Sequence, residues 1–184
     1  MNCNGTNSAR GKQDRGFSLI ELLIVVAIIL IIAAIAIPNL LRARIASNEA
    51  SATNSIRSIN TAEFAYNAAY PDNGYALTLN NLGGASPCLP ASTQACLIDD
   101  VLASAGVASN GKSGYVFAAT GLSPSGTGAT LRSFVSAASP VNFNISGVRN
   151  FCSSEDGVIR FDPGSAGSIP VNTLAACHAF TSMQ

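Results

Sequence analysis

Leu22 to Ile37 is an unbroken run of sixteen apolar residues, and one charge, Glu21, stands directly before it. No other feature restricts the fold as much. A helix of about 20 apolar residues crosses a bilayer, and Phe17 to Ile37 supplies that length with Glu21 as its only charge. A small globular domain has no interior for such a segment. It must enter a membrane or an assembly of its own kind. A cleaved secretory signal is the poorer reading. The apolar core is long for one, and Pro38-Asn39-Leu40-Leu41 is not a small-residue cleavage site.

Charge gives the direction. Arg10, Lys12 and Arg15 precede Phe17, opposed only by Asp14. A basic leader ahead of an apolar run favours an N-terminus held in the cytoplasm, with the body outside. Seven basic and nine acidic residues follow Phe17, a balance of −2. Over the whole chain ten basic residues meet ten acidic ones, which gives no basic surface for nucleic acid. Only 11% of the 184 residues are charged, against a usual share of about 25%. The body is instead rich in Ala, Ser, Gly, Asn and Thr. A neutral, hydroxyl-rich surface of that kind suits repeated packing against like copies.

Beyond Pro38 the pattern stays helical to Tyr70. No Gly falls between Phe17 and Asn73, and Pro38 is the only Pro before Pro71. Ile45, Ala52, Ile59 and Tyr66 recur every seven residues, with Ile56 and Tyr70 on the adjoining row. Glu49 and Glu63 interrupt that second row, so the stripe predicts packing on a body, not a coiled-coil seam. One helix from Phe17 to Tyr70 would measure about 80 Å at 1.5 Å per residue, and must project from a small domain. Pro38 removes a backbone donor, so a kink or local unwinding is expected there.

From Pro71 onward the signals are shorter. Leu77–Leu82 and Leu97–Ser104 suggest short helices. Ser113–Thr120 and Ala129–Pro140 read as strands. Val148–Asp162 reads as a hairpin turning at Ser154–Gly157. The expectation is an α+β fold, with a long N-terminal helix laid on an antiparallel sheet of about four strands. The tail after Asp162 is expected to be irregular, with at most one helical turn. Phe64, Tyr66, Tyr70 and Tyr75 are expected to form an aromatic patch between helix and body.

The segment from Arg15 to Tyr70 resembles the N-terminal region of type IV pilins and of type II secretion pseudopilins. The residues that carry the resemblance are the basic leader ending in Gly16, then Phe17, Glu21, the apolar run, Pro38 and the polar helix. The resemblance implies that a prepilin peptidase cuts between Gly16 and Phe17 and methylates the new Phe17 amine. It implies an assembly role for Glu21, pairing with the amine of a neighbouring subunit. It also implies a cleaved leader at 1–16, a transmembrane and assembly helix at 17–38, an amphipathic helix half at 39–70, and a periplasmic or extracellular body at 71–184. The implied partners are the prepilin peptidase, an inner-membrane assembly platform, the inner membrane itself and further copies of the chain. The subunit would sit in the inner membrane first and in a surface or periplasmic filament later. Members of the family often carry a Gly within the apolar run; none is present here.

Cys3 precedes the expected cut. The remaining four cysteines, Cys88, Cys96, Cys152 and Cys177, are an even number on the oxidising side. Three pairings are possible. Short separations favour Cys88–Cys96 and Cys152–Cys177. Metal-ligand spacing is lacking, since no Cys-x-x-Cys occurs and Cys177-His178 points adjacent side chains apart. No phosphate loop or serine elbow is present. His178 is a lone tail histidine, Asp99-Asp100 reads as a helix start, and Ser154-Glu155-Asp156-Gly157 reads as a turn, not a calcium loop. The expectation is therefore a structural filament subunit, not an enzyme, with no cofactor. A secretion pseudopilin is the alternative within the family. A membrane-tethered binding module or enzyme is the alternative outside it, disfavoured by the missing catalytic constellation and the needless length of the helix.

Overall fold

The computed structural model describes residues 17–123 and 130–183. Gly16, the rest of the expected leader and Ala129 lie outside the described residues. Four α-helices are found among them: α1 (Leu19–Ala69), α2 (Leu79–Leu82), α3 (Asp100–Ala103) and α4 (Leu174–His178). Five strands accompany them: β1 (Tyr115–Leu122), β2 (Ser133–Pro140), β3 (Arg149–Ser154), β4 (Arg160–Pro163) and β5 (Thr181–Ser182). The chain divides into two compact units, Met1–Leu40 and Leu41–Gln184.

In the first unit α1 is exposed on every side, from Leu19 at 81% to Leu40 at 70%. It continues as helix through Pro38. The proline has no N–H, so the Ala34 carbonyl lacks its usual donor one turn later.

In the second unit an antiparallel sheet runs in the order β1-β2-β3-β4-β5. Burial along β1 alternates strictly, the mark of a strand with one covered face. β2 is buried along almost its whole length, because both of its faces are covered. One face looks onto α1. There Ser136 pairs in register with Ser153 and Ala138 with Phe151. The Asn60 amide of α1 donates to Ser153 Oγ at 2.8 Å and accepts from Ser136 Oγ at 2.5 Å. The other face holds Val135, Ala137 and Cys152, packed against Val171, Leu174 and Phe180 of the tail.

That second cover accounts for the fifth strand, one more than the sequence pattern suggested. Cys152 of β3 is bonded to Cys177 of α4. The bond brings the tail to the sheet, and Thr181 then pairs with Phe161 and Ser182 with Arg160. Two residues without apolar alternation carry no strand signal of their own.

The heptad row on α1 is buried where it meets the sheet. Ala52 and Ile59 are fully buried and Tyr66 is 2% exposed, and Ile56 on the adjoining row is fully buried. The row supposed to be interrupted is buried too, with Glu49 at 6% and Glu63 at 0% exposure. Neither glutamate faces water. Glu49 Oε1 accepts the backbone N–H groups of Val148 at 3.1 Å and Arg149 at 3.2 Å. Its Oε2 accepts from Arg149 Nε at 2.9 Å and pairs with Nη2 at 2.6 Å. Arg149 in turn lies over the rings of Phe151 and Phe161, 5.9 and 5.5 Å from their centroids. Helix and strand, 100 residues apart in sequence, are thus clasped by one carboxylate. Glu49→Ala leaves the Val148 and Arg149 N–H groups without that acceptor. Hydrogen bonds to charged groups are each worth about 1.5–3 kcal/mol, while the half-exposed Arg149 side chain regains water. The expected loss is about 3 kcal/mol, read as a lower denaturant midpoint at unchanged slope. An unchanged midpoint would assign the helix–strand hold to apolar contact alone.

The aromatic residues divide into two groups instead of one patch. Phe64, Tyr75 and Phe134 meet edge-on or tilted at 4.8–6.1 Å. Tyr66 and Tyr70 form a separate tilted pair at 4.9 Å.

Candidate functional site

The first turn of α1 forms where the N–H groups of Glu21 and Leu22 donate to Ser18 O, at 3.1 and 3.2 Å. Phe17 precedes the helix and is 78% exposed. The Glu21 side chain is exposed and makes no ion pair among the described residues. The helix is long and apolar enough to cross a membrane. Burial of one aliphatic side chain is worth about 1.5–3 kcal/mol, so more than a dozen exposed here total on the order of tens of kcal/mol. A single carboxylate costs at most about 2.5–3.5 kcal/mol at the middle of a membrane helix, and less near its end. Glu21 therefore does not prevent insertion. Its cost is specific to whatever partner it finds in a dry environment.

The body holds few reactive groups. Cys88 is bonded to Cys96 and Cys152 to Cys177, with Cα separations of 6.0 and 5.7 Å. The first bond closes a surface loop that Tyr66 ties to α1, its hydroxyl donating to Ser92 O at 2.6 Å. The second is fully buried between sheet and tail. Asp99 caps α3 by accepting from Leu102 N at 2.9 Å, and it pairs with Lys112 at 3.3 Å. Among the described residues no group of His, Cys, Asp and Glu is placed to hold a metal ion.

Sequence reading did not anticipate that His178, Ser154 and Asp156 come together. Ser154 Oγ lies 3.4 Å from His178 Nε2 and donates to Asp156 Oδ1 at 3.1 Å. This is not a nucleophile with its base. In a hydrolytic triad the carboxylate orients the histidine. Here Asp156 instead accepts from Val158 N at 3.0 Å and pairs with Arg160 at 2.5 Å. The hydrogen bond from Arg160 is the main reason its carboxyl titrates at about 2. Ser154 is also 1% exposed. The three residues brace the β3–β4 turn, where Gly157 N donates to Ser154 O at 2.9 Å and Gly157 takes a φ of 69°.

Among the carboxyl groups, Glu63 is also strongly perturbed. Burial lifts the Glu63 carboxyl from 4.5 to about 8, against the lowering effect of the Ala76 N–H it accepts at 2.8 Å. Its second oxygen has no hydrogen-bond partner among the described residues. A neutral acid at the helix–body boundary follows from that geometry. It was not legible in sequence because its partner is a main-chain amide.

Residues 11–37 match a family model described as the prokaryotic N-terminal methylation motif. A type IV major pilin protein PilA from Myxococcus xanthus (strain DK1622) is 49% identical over 51 residues, which is 28% of this chain and 23% of the relative. A type IV wide pilus major component, PilA4 from Thermus thermophilus, is 57% identical over 42 residues, 23% of this chain and 32% of the relative. The chain thus matches less than a third of the length of either relative. No solved structure matches. The N-terminal segment is thus similar to those of type IV pilins, and the chain has an α+β fold with a long N-terminal helix.

Proposed function

We propose that the chain is the precursor of a structural subunit of a type IV pilus. A prepilin peptidase cuts it between Gly16 and Phe17, the Phe17 amine is methylated, and the subunit polymerises with its own kind from the inner membrane. The observation that carries this reading is the methylation motif over residues 11–37, with its basic leader, Phe17 and Glu21 before an apolar helix. The leader would be residues 1–16, the membrane and assembly helix 17–38, the amphipathic half 39–70 and the outer body 71–184. The N-terminus stays in the cytoplasm until assembly, and the helices then pack at the filament centre. An assembly platform in the membrane receives each subunit. Two relatives, both named as pilus components, favour a pilus over a secretion pseudopilus.

Sheared surface filaments, examined by electron microscopy and intact-mass measurement, test the proposal. The filament subunit is expected to begin at a methylated Phe17. A subunit retaining Met1 to Gly16 in cells with an active prepilin peptidase would overturn it. Replacing Gly16 with a bulky residue is expected to stop cutting, because the peptidase must accommodate extended backbone at that point.

A further inference from the structure

The chain contains three Asn-Gly pairs, Asn4-Gly5, Asn73-Gly74 and Asn110-Gly111. Asn4-Gly5 lies outside the described residues. The other two sit in opposite surroundings. In such a pair the glycine nitrogen can reach the carbonyl carbon of the asparagine side chain, and no Cβ obstructs the approach. Whether it does so in a folded chain depends on how the peptide between the two residues is held.

At Asn73-Gly74 that peptide is held on both sides. Gly74 N donates to Tyr70 O at 3.1 Å, and Asn73 O accepts from Leu131 N at 2.9 Å. Gly74 is buried. The amide of Asn73 is held as well, its Nδ2 donating to the Tyr66 hydroxyl at 3.4 Å. Gly74 takes a φ of 78°, and a Cβ there would collide with the Leu131 carbonyl, so this glycine serves a turn and a close approach. Its nitrogen becomes a nucleophile only after giving up the bond to Tyr70.

At Asn110-Gly111 the peptide is held on neither side. Asn110 ends a single 3₁₀ turn, Ala108–Asn110, and its own N–H donates to Val107 O at 3.0 Å. Past that turn, neither the Gly111 N–H nor the Asn110 carbonyl makes a backbone hydrogen bond among the described residues. The Asn110 side chain is exposed and has no hydrogen-bond partner among them. Packing demands the glycine. A Cβ at Gly111 would stand 2.8 Å from Val141 Cγ2 and 2.9 Å from the Tyr115 carbonyl oxygen. The fold therefore places a glycine after an exposed asparagine and leaves their shared peptide free.

We propose that Asn110 is a site of spontaneous modification, converted in the folded chain to aspartate and isoaspartate, while Asn73 is protected. Solvent base removes the Gly111 amide proton, and the nitrogen bonds to Asn110 Cγ. The Cγ–Nδ2 bond breaks and ammonia leaves, carrying a proton returned by solvent. Water then opens the five-membered imide. Attack at the side-chain carbonyl gives aspartate, and attack at the backbone carbonyl gives isoaspartate. No oxidant or reductant enters. Either product adds one negative charge. Ala108 and Gly111, which bracket Asn110, line a groove of about 330 Å³ together with Arg44. Arg44 makes no ion pair among the described residues. The new carboxylate thus arises at the edge of a groove that contains an unpaired guanidinium.

The test ages the full chain in detergent at mildly alkaline pH and follows each asparagine by peptide mapping, with isoaspartate identified by fragmentation. A second sample is reduced and unfolded in guanidinium chloride. Unfolded, Asn73 and Asn110 are expected to convert at like rates, because glycine follows both. Folded, Asn110 is expected to convert roughly tenfold faster than Asn73. That ratio corresponds to about 1.4 kcal/mol, which the two hydrogen bonds that must open at Asn73 supply. Asn110→Gln keeps an exposed amide but requires a larger ring. Its position 110 is expected to stay unconverted while wild type converts, with thermal unfolding unchanged because the side chain is exposed. Equal folded rates at Asn73 and Asn110 would overturn the proposal. So would an Asn110 that stays intact in the folded chain while the unfolded chain converts, or conversion at position 110 of Asn110→Gln at the wild-type rate.

Discussion

Glu63→Gln is expected to make the body more stable at pH 9 and to leave it nearly unchanged at pH 4. The wild-type carboxyl titrates near 8 in the fold, against 4.5 when unfolded. Between those values the folded chain holds a proton that the unfolded chain has released. Stability from this group is therefore complete below about 4.5, falls as pH rises towards 8, and is flat above it. At 1.36 kcal/mol per pH unit the loss across the window approaches about 5 kcal/mol. Gln keeps an acceptor for Ala76 N but has no proton to lose, so the slope vanishes. Asp156 does not confuse the experiment. Its carboxyl is lowered to about 2, so its contribution is lost only as pH falls well below the Glu63 window. Denaturant unfolding of the detergent-solubilised chain, followed by circular dichroism at several pH values, measures the effect. A wild type whose stability is level between pH 4.5 and 8, or a Gln variant with the same slope, would show that Glu63 ionises freely in the fold.

Glu63 and Glu49 also mark where sequence reading stopped. The heptad from Ala52 to Tyr66 is legible because apolar side chains repeat at the pitch of the helix they cover, and those residues are buried. The strands β1 to β4 fall where β-branched, aromatic and turn residues alternate. Both glutamates break the apolar pattern, so the row they occupy reads as solvated. What buries them is the supply of main-chain N–H groups from Ala76, Val148 and Arg149. Backbone donors carry no residue identity, and the closest of the three lies 13 residues away. No spacing rule reaches such a partner. The same reason hides β5, which is recruited by a disulfide and main-chain pairing. At the N-terminal end the situation is reversed. Gly16, Phe17, Glu21 and the apolar run are contiguous, so the motif is legible although no tertiary contact supports it.

Glu21→Ala is expected to leave membrane insertion, cutting after Gly16 and the folded body intact, while surface filaments nearly disappear. Removing a carboxylate from an apolar helix makes insertion easier, not harder. The body, from Leu41 onward, is a separate compact unit with its own core and two disulfides. The loss must therefore appear at assembly. In a bundle of apolar helices a carboxylate and an amine attract far more strongly than in water. Leaving either unpaired there costs about 3–5 kcal/mol, which is a factor of roughly 10²–10⁴ in docking. On the proposed reading, an incoming subunit would be favoured where its Glu21 meets the methylated amine of Phe17 on a subunit already in place, and that pairing would fix the axial step. Glu21 is also only four residues from its own Phe17, which precedes the helix. An internal pair would hold the charge neutral in the membrane and exchange for the intersubunit pair on docking. Glu21→Gln separates the two contributions. It keeps a hydrogen-bond acceptor for the amine without the charge, so partial filament yield is expected, between wild type and Ala. Counts of sheared filaments by electron microscopy, set against the amount of cut subunit in the membrane, decide the matter. Normal filament number and length in Glu21→Ala would return Glu21 to a tolerated interfacial residue.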